Sequence, residues 1–217
     1  TEIYTLSLHD ALPIFKRMER DMDTDFVSMI NDVNSKGFEE LSYIYLCPVY
    51  KEGLDVLDPS FDAWSKSDVG AKKIHVVVAM EEKTAKDIQI PNFNTLKKKY
   101  GNRFASMQYY IHPSDVPGEA AGVKGANINW ATRKYVKELE KRGKDISKYL
   151  LITCDCDLRP DPKYLSAITY KYLTVDEPEK KYYTSAVYTL NNNIWRVPTL
   201  IRVQSSMLSL VILHTWV

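Results

Sequence analysis

Long apolar runs are missing from this chain: nowhere do the roughly 18 to 20 consecutive apolar residues of a membrane-spanning helix occur, and no bilayer-spanning segment is expected. An excess of one charge is missing too. Against 29 Lys and Arg stand 28 Asp and Glu, a net charge of +1, which leaves no electrostatic footprint for a nucleic acid partner. Any bound anion must be held locally. Cysteine is scarce: Cys47, Cys154 and Cys156 are an odd set in apolar surroundings, which argues against a disulfide framework and for a reducing compartment, the cytoplasm or its membrane face. No second Cys/His pair stands near Cys154 and Cys156, so they read as small buried packing residues rather than zinc ligands. Internal repeats and low-complexity segments are absent as well.

What remains is 217 residues, 45% hydrophobic and 26% charged, enough for one ordinary globular core. Residues 1–15 are set apart: Thr1 to Ile14 (TEIYTLSLHDALPI) resemble the conceptual translation of a ligated sequencing adapter and are expected to be foreign to the fold. Residues 16–40 read as a lead-in and an N-terminal helix, because Phe26, Met29, Ile30 and Val33 fall at i, i+3, i+4 and i+7 and Gly37 is placed to end it. Residues 41–190 carry the main domain. The apolar stretch Met207 to Val217 runs into the last residue, and that end is read as a truncation within a final region, 191–217.

Within the main domain, Tyr43 to Cys47, Lys73 to Met80, Ser106 to Ile111 and Tyr149 to Thr153 are short β-branched or aromatic runs of buried-strand type. Tyr182 to Tyr188 is a weaker fifth copy. Helical faces lie between them: Leu54, Leu57, Phe61 and Trp64 in one, Ile128, Ala131, Tyr135 and Leu139 in another. Asp58–Pro59 and Asp161–Pro162 read as N-cap and first-turn pairs. Strands alternating with helices predict an α/β fold, a mostly parallel Rossmann-like sheet with helices on both faces.

In such a sheet ligands bind beyond the carboxyl ends of the strands, at the topological switch point. Asp155 and Asp157 follow the fourth strand, where alternation would turn both carboxylates the same way, toward one Mn²⁺ or Mg²⁺ completed by waters and a diphosphate. The same spacing in Asp21, Asp23 and Asp25 follows no strand and reads as a solvated segment. In Gly118 to Arg133 (GEAAGVKGANINWATR), Gly122 and Gly125 permit close backbone approach to a ligand. Lys124 offers a point charge to a phosphate, and a helix N-terminus follows. A plain loop with a surface lysine fits this stretch equally well. His75, His112 and His214 look structural, and His9 lies in the foreign segment.

The ordered set Pro48-Val49-Tyr50-Lys51-Glu52, Glu81-Glu82, Lys124-Gly125 to Asn129 and Asp155-Cys156-Asp157 resembles glycosyltransferase family 2, over roughly Tyr43 to Val217. That resemblance implies a GT-A fold and a metal-dependent, inverting transfer of a sugar from a nucleotide-diphosphate donor, with a UDP-sugar as default and a glycan or lipid-linked acceptor. It places Pro48, Tyr50 and Glu52 around base and ribose, and Glu81 and Glu82 where many members carry a base-reading aspartate-rich turn. Lys124 with Gly125 then lies near the diphosphate, and Asp155 with Asp157 at the ribose edge and the metal. The family's Glu-Asp general base does not occur between Tyr188 and Val217, so the chain is expected to bind donor without glycosylating. Arg196, Arg202 and the apolar tail would face a lipid carrier or rest on a membrane, or else form a core helix without its neighbours. Two other classes use the same elements: a haloacid-dehalogenase-like Mg²⁺-dependent phosphatase, whose first aspartate is the nucleophile, and a non-catalytic interaction domain.

Overall fold

The computed structural model describes residues 16, 20, 22–119, 122–183 and 198–205. The chain divides into two compact units, Phe26–Val175, and Thr1–Asp25 together with Asp176–Val217. The first holds every strand described: α1 (Phe26–Glu40), β1 (Ser42–Val49), α2 (Leu54–Trp64), β2 (Ile74–Glu81), α3 (Ile90–Tyr100), β3 (Ser106–His112), α4 (Lys124–Lys141), β4 (Tyr149–Thr153) and α5 (Tyr164–Thr174). In the second, residues 199–205 are helical and a short turn spans Pro178–Lys180, where Tyr183 Oη donates to the Pro178 carbonyl at 3.2 Å.

The four strands form one all-parallel sheet in the order β3-β2-β1-β4, with Tyr43 opposite Ile74, Leu46 opposite Thr153, and Glu81 opposite His112. The α/β Rossmann-like expectation is met. The two central strands, β1 and β2, are buried nearly throughout because helices cover both of their faces. Tyr43, Tyr45, Cys47 and Val49 of β1 and Ile74, Val76, Val78 and Met80 of β2 join side chains of α1, α2, α3 and α5 in one core. Ile44, Leu46, Val77 and Ala79 meet Ala131, Tyr135 and Leu139 of α4 on the other face. Burying those four strand side chains together with the α4 stripe is worth several kcal/mol, at about 1.5–3 kcal/mol for each large apolar group. On the larger side Tyr45 stacks on Trp64 with ring centroids 5.0 Å apart.

The strands and the faces of α2 and α4 follow the sequence periodicity closely; other details differ. Gly37 does not end α1, which continues to Glu40 across a break at Asn34 (φ −158°, ψ 69°). The Asn34 Oδ1 accepts the Gly37 N–H at 2.9 Å, as an N-cap does for the third residue of a new helical segment. Of the predicted stripe Ile30 is buried, joined beyond the break by Phe38, while Met29 and Val33 are exposed. Asp58–Pro59 lies inside α2, which starts five residues earlier with the Gly53 carbonyl accepting from Val56 and Leu57. The Asp58 carboxylate instead holds Lys99 Nζ at 2.8 Å and Tyr100 Oη at 3.1 Å, tying α2 to α3. Asp161–Pro162 stands just before α5, where Asp161 Oδ1 accepts the Lys163 N–H at 2.9 Å. The fifth-strand segment lies outside the described residues beyond Tyr183, as do Thr1 to Ile14, Arg196 and Met207 to Val217.

Candidate functional site

The chain runs from β1 outward through β2 to β3, then returns across the other face through α4 to β4, so the direction of winding reverses between β1 and β4. Loops leaving these two strands diverge and open a crevice at their carboxyl ends. Three sequence-predicted groups meet there. The first is the end of β1, where Pro48 is half-buried at a point the ladder to β4 no longer reaches, its last pair being Leu46 with Thr153. Its lack of an N–H therefore leaves no bond to β4 unmade. Tyr50 follows, exposed, with its N–H donating to Glu52 Oε2 at 2.6 Å.

The second group leaves β4. Alternation carries past Thr153: Cys154 and Cys156 point into the core while Asp155 and Asp157 face solvent. A turn closed by Leu158 N–H to the Asp155 carbonyl at 3.0 Å holds this segment. Trp64 Nε1 anchors it from α2 by donating to the Leu158 carbonyl at 3.1 Å.

The third is the start of α4. Gly122 has φ 75°, a left-handed conformation that favours glycine. Val123 then enters the helix with no side-chain cap, which leaves the first N–H groups without a side-chain acceptor. A Cβ at Gly125 would meet no atom within 4 Å, so the space above this turn is open. Lys124 Nζ is ion-paired with Asp155 Oδ1, with both side chains more than half exposed, and this contact raises the lysine above its usual range.

The buried thiols register the same gathering of charge. Cys47 is held well above the ordinary thiol range by its hydrogen bond with Cys154 and by burial, with smaller contributions from Glu52 and Asp155. Cys156 is raised by burial first, then by Cys47, Glu52 and Asp157. Glu52, Asp155 and Asp157 thus all act on this pair of buried thiols, and Lys124 is ion-paired to Asp155.

Glu81 and Glu82 are placed elsewhere, at the junction of β2 and β3. Glu82 Oε2 accepts the Ser114 N–H at 2.8 Å, which lowers its carboxyl. Glu81 is buried and faces His112, whose Nδ1 lies 3.9 Å from Glu81 Oε2 and whose Nε2 lies 2.9 Å from Glu119 Oε2. Arg133 Nη1 approaches Glu119 at 3.5 Å, and Trp130 meets the His112 ring edge-on. His112 is thus buried between two carboxylates, a cluster the sequence concealed because its members come from β2, β3, the following loop and α4.

Among the described residues no three His, Cys, Asp or Glu side chains are grouped to hold a metal ion. Asp155 and Asp157 supply two carboxylate ligands, a set that suits Mg²⁺ or Mn²⁺ when phosphate oxygens and water complete the octahedron. No protein-family model matches the chain, and no curated protein and no solved structure matches it either. Among the described residues no helix is long and apolar enough to cross a membrane.

Proposed function

We propose that the chain is the donor-binding part of a metal-dependent glycosyltransferase, and that it holds a nucleotide-diphosphate sugar at the β1/β4 switch point. The observation that carries this reading is the meeting of Lys124, at an uncapped helix N-terminus, with Asp155 at the end of β4. A cation and open N–H groups beside a solvent-facing pair of carboxylates is what a metal–diphosphate requires. The resemblance to glycosyltransferase family 2 supplies the donor class, with UDP as the default nucleotide.

In this reading Asp155 and Asp157 hold Mn²⁺ or Mg²⁺, which when bound neutralises charge developing on the departing nucleoside diphosphate. Lys124 leaves Asp155 for a phosphate oxygen, and the first N–H groups of α4 donate to the diphosphate oxygens at the helix N-terminus. The segment Pro48 to Glu52 lines the nucleoside side. Transfer to a glycan or lipid-linked acceptor needs a general base, and none of the site residues is assigned that role. The test is calorimetric titration of UDP with and without Mn²⁺ into the wild type and into the Asp155→Ala, Asp157→Ala double variant. Metal-dependent binding confined to the wild type is expected; binding of UDP unchanged by the double substitution removes the reading.

A further inference from the structure

Between β2 and α3 the chain makes a π turn over Ala85–Gln89. Such wide turns carry one residue more than an α-turn and redirect a side chain, often at functional sites. Here the redirected residue is Gln89, which is 3% exposed. Its Nε2 lies 3.0 Å from the Val49 carbonyl, 2.7 Å from the Tyr50 carbonyl and 2.6 Å from Thr84 Oγ1. Its Oε1 accepts the Glu81 N–H at 3.2 Å. Chemistry fixes the amide orientation: reversed, it would set oxygen against two carbonyls and NH₂ against an N–H. One turn into α3, Asn92 Nδ2 donates to the Glu52 carbonyl at 3.1 Å. The carbonyls of Val49, Tyr50 and Glu52 are therefore all held by two amides from one helical segment. Behind the loop lies a small cavity of about 10 Å³, lined by Glu52, Gln89 and apolar side chains that include Val49 and Phe93.

We infer that Gln89 is a positioning residue for the nucleoside half of the ligand, acting through the backbone of Val49 to Glu52 and not through the metal–diphosphate half. The inference rests on the donor-site reading and divides that site into two parts with separate supports. Asp155, Asp157 and Lys124 make no bond to Gln89, so losing it leaves the diphosphate side in place.

Two probes separate the halves: Mn²⁺ with UDP, and Mn²⁺ with inorganic pyrophosphate, each titrated into the full chain. The variants are Gln89→Met, which keeps the length and loses the bonds, and Asn92→Ala, a partly exposed change that loosens the same loop if Gln89→Met fails to fold. For Gln89→Met, UDP affinity is expected to fall about tenfold or more, the usual consequence of leaving buried carbonyls unpaired, while pyrophosphate affinity stays within about twofold. Asn92→Ala is expected to follow in the same direction with a smaller UDP-selective loss. Parallel loss of both ligands in folded variants, or no loss of either, overturns the inference. A wild type that binds UDP no better than pyrophosphate also overturns it while leaving the diphosphate site intact. A wild type that binds neither removes the donor-site reading and this inference together.

Discussion

Lys124 at the first position of α4 and Asp155 just beyond β4, 31 residues apart in sequence, are joined by an ion pair that spans the crevice between the two crossover directions of the sheet. With both side chains more than half exposed, the pair adds little to folding, since such pairs contribute about 0.2–1 kcal/mol. In the proposed donor site its consequence lies in ligand binding. Lys124→Met is expected to shift urea-unfolding stability by less than about 1 kcal/mol. It is expected to weaken Mn²⁺-pyrophosphate binding by roughly tenfold, the loss of one charge-assisted hydrogen bond. A large stability loss with unchanged affinity would show that the pair serves the fold instead.

The indole of Trp64 supports the same loop from beneath. Trp64 is fully buried, stacks on Tyr45 and donates to the Leu158 carbonyl. Trp64→Phe removes the donor and leaves a void, so a loss of about 2–4 kcal/mol is expected in denaturant unfolding.

The three thiols are buried and free. Cys47 is held in its protonated form by its Cys154 partner and by burial, and Cys156 chiefly by burial. Near pH 8 the native protein should react with an aromatic disulfide reagent only as fast as it opens, whereas all three thiols should react at once in denaturant. Prompt reaction of a native thiol would contradict this placement.

Alkaline pH tests the core on the α1/α5 side and the core beneath α4 together. The Tyr43 hydroxyl, 2.7 Å from Thr169 Oγ1, is pushed by burial from 10.0 to about 12, and Tyr135 under α4 likewise to about 12. A tyrosine kept neutral by the fold contributes its full stability below pH 10, where the unfolded form is also neutral. That contribution is lost as pH rises from 10 toward 12, because only the unfolded chain releases the proton. Denaturation midpoints should therefore fall across this window, and Tyr43→Phe should flatten the slope.

These residues also show how far sequence alone reaches. The run Lys73 to Met80 announces β2, Ile74–Glu81, because helices cover both of its faces, and the 3, 4 and 4 spacing in α4 announces the stripe that covers β1 and β2. α3 went unread, although Phe93, Leu96 and Tyr100 stand at i, i+3 and i+7 and are all buried. Gly37 misled because the Asn34 side chain starts a new helical segment where glycine commonly ends one. Gln89 and His112 were opaque for a different reason: their meaning lies in partners 5 to 40 residues away, and the sheet order brings the distant ones together.

His112 therefore offers a separate test. His112→Leu removes the hydrogen bond to Glu119 and sets an apolar side chain beside the buried Glu81 carboxylate, and a loss of about 1–3 kcal/mol is expected. His112→Gln should recover part of it, because its amide reaches toward Glu119 from a similar distance. Amide hydrogen exchange across Val116 to Glu119 would show whether the loop loosens in step.

Residue-resolved NMR with Mn²⁺ as a paramagnetic probe measures the central claim where it stands. In the presence of UDP, amide signals of Tyr50, Lys124, Gly125 and Asp155 to Leu158 should broaden first, and the Asp155→Ala, Asp157→Ala variant should lose the effect. Broadening centred on Asp23 and Asp25 instead, or none at the β1/β4 crevice, would contradict a metal–diphosphate site at the switch point.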